Sequence, residues 1–417
     1  MTAEVPSPLR SVLLYAHDTY GLGHLRRNLA IAAHLLDGCP GLRVVLMSGS
    51  PVADRFAIPR GLSLVRLPPV VKVGVEAYRA RDGRLGLSLV RRLRSAIMVD
   101  VARRFRPDVF LVDHAPRGMK GELLPVFEEL RTTSASTRIV LGLRDIVDDP
   151  GAVRSSWSDQ GVYETLESVF DRILVYGSRE LLDVADAYGL GPALRGKLCY
   201  CGYLAKGPLA APRARSADPR LVLGTAGGGG DGVEVLSATL AACKRLGLAS
   251  TVVTGPLMAG RDRRVLDAQA STDPRASVSE FVADMGAEMA RAGAVVTMGG
   301  YNSLAEIVSI GVPAIVVPRL QPRREQLIRA RVFARRGLVS VVEPGPLLAE
   351  RLAAALTGVL ATAREPARRP RAGVDVDGLS RVREALEAEG RAARLARGQA
   401  PSFEGRAGRE SRAEVVA

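Results

Sequence analysis

Short, largely apolar runs rich in β-branched residues alternate along this chain with longer stretches whose apolar positions recur at helical spacing. The runs at 11–15, 43–47, 109–112, 138–143 and 172–176 have the character of strands covered on both faces. Segments 24–36, 89–105 and 163–169, lying between them, have the length and period of helices. Strands and helices in this alternation predict a parallel sheet sandwiched by helices. Residues 204–220 break the pattern with three prolines, alanines and basic residues, and read as a linker. A second series follows, with strands expected at 221–225, 250–254, 294–298 and 314–318. The expected organisation is an N-terminal Rossmann-like domain over 1–203, the linker over 204–220 and a C-terminal Rossmann-like domain over 221–362. An Arg/Ala-rich tail follows over 363–417, helical around 382–395 and disordered from 399.

Composition narrows the function. At 417 residues the chain is too long for one ordinary core. Its apolar runs, such as 312–318, fall short of the roughly 18–20 residues that span a bilayer, and residues 1–10 lack an apolar signal core. The expected location is the cytoplasm, with association at the inner face of the membrane. Cys39, Cys199, Cys201 and Cys243 form neither a disulfide framework nor a redox or zinc motif, and are expected to be reduced. The net charge is +14, but the cations are mostly dispersed arginines and aromatics make up only 4%. Nucleic acid, which needs stacking platforms, is not an expected partner. Diffuse positive charge suits an anionic membrane or a phosphorylated substrate better.

Four segments carry candidate chemistry, each where a strand hands over to a helix, the edge at which open α/β sheets bind ligands. The first runs from Tyr15 to His24 and contains Tyr20, Gly21 and Gly23. A dinucleotide fingerprint would need glycine where Arg26 stands and an acid after the next strand, where Ser48 and Gly49 stand; NAD is therefore not expected. His24, at a helix N-terminus, is either a base kept neutral by the helix dipole or a capping and packing residue. Asp113 ends the 109–112 strand and either orients His24 or caps a turn. In the third segment five of the six residues from Gly227 to Gly232 are glycine. Gly227, Gly228 and Gly229 bare backbone amides for a diphosphate, without a Walker lysine. The fourth is Gly299-Gly300-Tyr301-Asn302-Ser303-Leu304-Ala305-Glu306-Ile307. Its amides and Ser303 suit phosphate, and Glu306, expected in the first helical turn, suits a ribose diol or only the helix dipole. Glu325 and Gln326 could hold sugar hydroxyls or be solvated. Asp375-Val376-Asp377 looks like a metal-binding pair but follows no strand, so no metal is assigned.

The third and fourth segments, with Val278-Ser279-Glu280-Phe281-Val282-Ala283-Asp284-Met285, Gly311-Val312-Pro313 and Arg324-Glu325-Gln326, resemble the C-terminal domain of the family 28 glycosyltransferases over about 220–345. That resemblance implies the GT-B architecture, two Rossmann-like domains with parallel sheets facing across a cleft. It also implies an inverting, metal-independent hexosyltransferase that needs no cofactor and uses a nucleoside-diphosphate sugar, UDP-linked, as substrate. On this resemblance Phe281 and Val282 lie against the base, Glu306 holds the ribose, and Glu325 and Gln326 hold the donor sugar. The segment Tyr20-Gly21-Leu22-Gly23-His24-Leu25-Arg26-Arg27 is more similar to a bacterial subgroup of predicted glycosyltransferases than to the family's usual N-terminal loop. His24 and Asp113 are then the catalytic candidates. Gly21, Gly23, Tyr20, Arg26 and Arg117 are candidates for binding an acceptor, phosphorylated or lipid-linked. The same plan also admits a UDP-sugar 2-epimerase or a non-catalytic nucleotide-sugar sensor.

Overall fold

The computed structural model describes residues 9–18, 22–74, 77–81, 83–205, 217–362 and 374–399. The linker residues 206–216, the tail residues 363–373 and 400–417, and the loop residues Tyr20 and Gly21 lie outside the described residues. The N-terminal half forms β1 (Ser11–Ala16), β2 (Arg43–Ser48), β3 (Leu62–Arg66), β4 (Val70–Gly74), β5 (Ala77–Ala80), β6 (Val109–Asp113), β7 (Arg138–Arg144), β8 (Arg172–Tyr176) and β9 (Leu198–Tyr200). Seven of these make one sheet, in the order β3-β2-β1-β6-β7-β8-β9, with every neighbour parallel. The amphipathic segments between strands cover both faces, because residues of β1 and β6 are buried on either side. β4 and β5 form a separate antiparallel hairpin beside it.

The second half repeats the plan with β10 (Asp218–Thr225), β11 (Ala249–Val253), β12 (Ala276–Ser279), β13 (Ala292–Thr297), β14 (Ala314–Val316) and β15 (Ser340–Val341). These form a parallel six-stranded sheet in the order β12-β11-β10-β13-β14-β15. In each sheet the first strand lies between the strands that follow it in two directions. The order reverses between β1 and β6, and again between β10 and β13. At such a reversal the two outgoing loops diverge and leave a crevice. The expected pair of parallel α/β domains is the observed fold class.

Two boundaries differ from the sequence expectation. The stretch 204–220 is not wholly linker. Leu204 and Ala205 are buried, Leu204 bridges to Asp377, and residues 218–220 belong to β10. The proline at 219 is compatible because it stands near the start of the strand, where a missing ladder donor costs little. The tail does not simply continue the second domain. Its helix, Gly378–Gln399, packs on the N-terminal helix Gly23–Gly38 and on β6 and β7. Buried Glu389 receives Arg138 at 2.8 Å and Arg172 at 3.1 Å. The two crossings run side by side, with Tyr203 N donating to Asp375 O at 2.7 Å and Gly378 N to Tyr203 O at 3.2 Å.

The two halves are also joined by a buried ion pair. Arg329 of the helix Glu325–Arg335 donates to Asp145, which follows β7, at 2.9–3.3 Å, and to Ile146 O at 2.9 Å. Arg329 is fully buried and Asp145 is 3% exposed. Tyr203 Oη donates to Asp145 at 2.7 Å. Asp145→Ala leaves the guanidinium buried without its counter-ion and is expected to cost about 3–5 kcal/mol. Adding Arg329→Met should recover most of that. Chemical denaturation of the single and double variants measures both; a double variant no more stable than the single would refute the assignment.

Candidate functional site

The two reversal points face each other across one cavity of about 1010 Å³. On the N-terminal side β1 and β6 are adjacent, with Tyr15 level with Val112. This register brings the loop after Ala16 and the residue ending β6 to the same edge. His24, second residue of the helix Gly23–Gly38, meets Asp113 there, Nδ1 to Oδ2 at 2.6 Å. A carboxylate only accepts, so Nδ1 carries the ring proton and Nε2 keeps its lone pair. Arg27, one turn along, grips both oxygens of Asp113 at 2.9 Å. Burial pushes the Asp113 carboxyl up, but Arg27 and His24 outweigh it and hold it below the ordinary range. Burial pulls His24 down to about 4, against Asp113, which holds it up. The ring is neutral chiefly through burial.

Two further histidines line this side and had drawn no attention in the sequence. His114 follows Asp113 at φ 67°, with Ala115 N donating to Asp113 O at 2.8 Å. This is a γ-turn, strained for a residue with a Cβ. It turns Asp113 and His114 into the same cavity, the two imidazoles of His24 and His114 lying 5.4 Å apart. His17 packs edge-on to His24 at 5.8 Å and reaches the Tyr15 hydroxyl at 3.2 Å, which donates to Glu122 at 2.7 Å. Burial lowers both rings well below the usual imidazole range. The β4–β5 hairpin, unread in the sequence, contributes Lys72 and Tyr78 to the wall.

On the C-terminal side, Gly227, Gly228, Gly229 and Gly230 line the cavity after β10. Gly229 has φ 91°, and a Cβ there would stand 2.1 Å from Thr254 O, so only glycine lets this loop lie on the turn after β11. That turn brings in Pro256, Leu257 and Met258, also missed. Gly299, after β13, has φ 78° and its Cβ would strike Val316 at 2.6 Å. It shapes the turn from behind, while Gly300, Asn302 and Ser303 at the start of the helix Tyr301–Ile310 face the cavity. Glu325 and Gln326 line it too. Arg319 holds both, donating from its side chain to Glu325 at 2.8 Å and from its backbone to Gln326 Oε1 at 2.9 Å.

Several sequence expectations are corrected. Glu306 lies beyond the first turn of its helix, does not line the cavity, and receives Arg26 at 2.7 Å from the opposite domain. Arg26, expected to meet an acceptor, is thus engaged with a donor candidate. Asn302 likewise crosses the cleft, donating to Gly23 O at 3.0 Å. Phe281 and Val282 stand outside the cavity wall. Phe281 meets Phe56 edge-on at 5.4 Å, and Val282 packs on the core. Gly23 and Arg117 do line the cavity, while Tyr20 and Gly21 lie outside the described residues. Among the described residues no group of three His, Cys, Asp or Glu side chains is placed to hold a metal.

The His24 ring should titrate near pH 4 by NMR rather than near 6.5, and Asp113→Asn should move it lower still. Between those values the unfolded chain holds a proton that the folded ring does not. Stability therefore falls as pH drops from about 6.5 toward 4. Thermal unfolding at pH 7 and pH 4.5 should show a smaller loss for His24→Asn than for the wild type; an equal loss would contradict the assignment.

Residues 234–384 match the C-terminal domain of glycosyltransferase family 28. The UDP-N-acetylglucosamine–N-acetylmuramyl-(pentapeptide) pyrophosphoryl-undecaprenol N-acetylglucosamine transferase of Cronobacter sakazakii is 32% identical over 170 residues, 40% of this chain and 47% of that protein. The chain thus spans about half the length of that relative. The protein of the same name from Sodalis glossinidius is 28% identical over 295 residues, 66% of this chain and 81% of that one. The crystal structure of MurG from Acinetobacter baumannii superposes with a TM-score of 0.57 at 14% identity, covering 91% of this chain and 99% of that one. The chain has the GT-B fold, and its C-terminal domain is similar to that of the family 28 glycosyltransferases.

Proposed function

We propose that this protein is an inverting glycosyltransferase that moves a sugar from a nucleoside diphosphate, UDP, to an acceptor hydroxyl. The observation that carries this reading is the placement of a neutral, carboxylate-oriented imidazole and a glycine cradle on opposite walls of one cavity. The acceptor O–H gives its proton to His24 Nε2 and the oxygen attacks the anomeric carbon. The bond from that carbon to the diphosphate oxygen breaks on the opposite face, and the electron pair leaves with the diphosphate. One displacement inverts the configuration. Asp113 stabilises the imidazolium as it forms. The amides of Gly227–Gly230 and of the Tyr301–Ile310 helix start meet the charge on the leaving group. The bound diphosphate also adds negative charge to the cavity, which raises the proton affinity of His24.

The acceptor is phosphorylated or lipid-linked in this reading, and the protein works against an anionic membrane surface. Leu85, Leu89 and Leu93 are exposed at four-residue spacing along and just before the helix Leu87–Phe105, beside Arg91 and Arg92. Such an apolar stripe among cations suits an anionic interface. No helix among the described residues is long and apolar enough to cross a membrane. Leu89→Asp with Leu93→Asp should reduce co-sedimentation with vesicles rich in anionic lipid; unchanged sedimentation counts against the contact.

Calorimetry with UDP and a hydrolysis screen across nucleotide sugars test the main reading. UDP should bind, and one donor should be hydrolysed slowly without acceptor. His24→Ala should keep donor binding and lower turnover by about 10²–10⁴. Absence of nucleoside diphosphate binding overturns the reading, and isomerisation of the free donor replaces it with an epimerase.

A further inference from the structure

Several arginines around the cavity are neutralised by carboxylates of the protein itself. Arg27 has Asp113, Arg329 has Asp145, Arg26 has Glu306, and Arg319 has Asp231 and Glu325. Arg144, the last residue of β7, has no such partner. Its printed side-chain bonds go to a neutral ring: Nη2 donates to His114 Nε2 at 2.8 Å and Nε reaches Nδ1 at 3.4 Å. Among the described residues no carboxylate lies within ion-pairing distance of it.

The surroundings make this arrangement costly. Burial, then Arg329 and Arg27, push the Arg144 guanidinium down to about 10, and Arg323 adds to the repulsion. Glu325 pulls it back up, but that carboxylate is already held by Arg319. A guanidinium kept in such a place, lining a cavity with only a neutral ring as its partner, lacks an anion. Both Arg144 and His114 line the cavity, as do His24 and Glu325. Arg117 lines the same wall, and its buried Nε has no hydrogen-bond partner. The γ-turn at His114 sets its ring against Arg144.

We propose that Arg144, backed by His114, is a specificity site for an oxyanion on the transferred sugar or on the acceptor, a carboxylate or a phosphate distinct from the donor's diphosphate. This rests on the glycosyltransferase reading for the names of the two substrates, not for the anion itself. A uronic acid donor would bring the carboxylate in from the side of Glu325. A phosphorylated acceptor would bring phosphate in from the side of His24. A bidentate guanidinium contact of this kind is worth on the order of tenfold to a hundredfold in affinity.

Calorimetry on the full chain and on Arg144→Gln tests the site with three probes. If the donor supplies the anion, the wild type binds UDP-glucuronate at least tenfold more tightly than UDP-glucose, and Arg144→Gln erases the preference while leaving UDP unchanged. If the acceptor supplies it, glycerol 3-phosphate binds the UDP-saturated wild type, and Arg144→Gln abolishes this. Arg144→Lys should retain part of either effect. The thermal midpoint of Arg144→Gln should be unchanged or higher, because an uncompensated cation is removed; a structural role would lower it. The proposal is overturned if neither probe depends on Arg144, or if the variant weakens UDP itself as much as the probes, which would place Arg144 in the diphosphate cradle. Should no nucleotide bind at all, the transferase reading fails. Glycerol 3-phosphate titrated into the nucleotide-free protein then still decides the anion site by its dependence on Arg144.

Discussion

The buried pair of Arg329 and Asp145 sets the distance between the two sheets. Asp145 follows the strand that ends in Arg144, and Arg329 lies on the helix that begins with Glu325. Once that bond is made, the ends of β7 and of the Glu325–Arg335 helix cannot drift apart, and everything borne on them faces inward. Tyr301, at the start of the donor-side helix, lies between Arg27 at 5.4 Å and Arg329 at 5.8 Å, and stacks on Tyr203 at the crossing. The carboxylates Asp113 and Asp145 thus belong to one continuous run of charge and aromatic ring across the seam. Neither would be tolerated at this depth without its guanidinium.

The same depth decides protonation. Three imidazoles share the cavity with several guanidiniums, and burial next to cations keeps all three uncharged. A neutral histidine can take a proton only where something nearby favours the cation that results. Asp113 does this most directly for His24, which it meets at 2.6 Å. His114 instead accepts from Arg144, and His17 is tied to Tyr15. Three like residues are therefore given three different roles by what lies behind each.

Much of this was legible in the sequence. Largely apolar runs alternating with helical periods locate the central strands, because strands covered on both faces have no polar side. The glycine loops could be placed at strand ends, and His24 could be matched with Asp113, because adjacent parallel strands deliver their exits to one edge. Other features depend on distances between distant segments. Arg26 meets Glu306 and Asn302 meets Gly23 only once the two domains are set at a fixed separation. The short edge strands β3, β9, β12 and β15 carry half-exposed residues and so lack the apolar run that marks a buried strand. The positive φ of His114 has no composition signal at all, since such positions usually take glycine or asparagine. Nor does helical patterning in the tail reveal that its helix returns to the first domain.

The contact between Arg26 and Glu306 ties the opening of the cleft to the fate of one ion pair. Each domain supplies one partner, at 2.7 Å, so whatever engages either side chain must first displace the other. The strength of such a contact is then a difference between two sets of hydrogen bonds. Loss of that crossing bond also loosens the grip between the domains, so engaging the pair and relaxing the cleft become a single event.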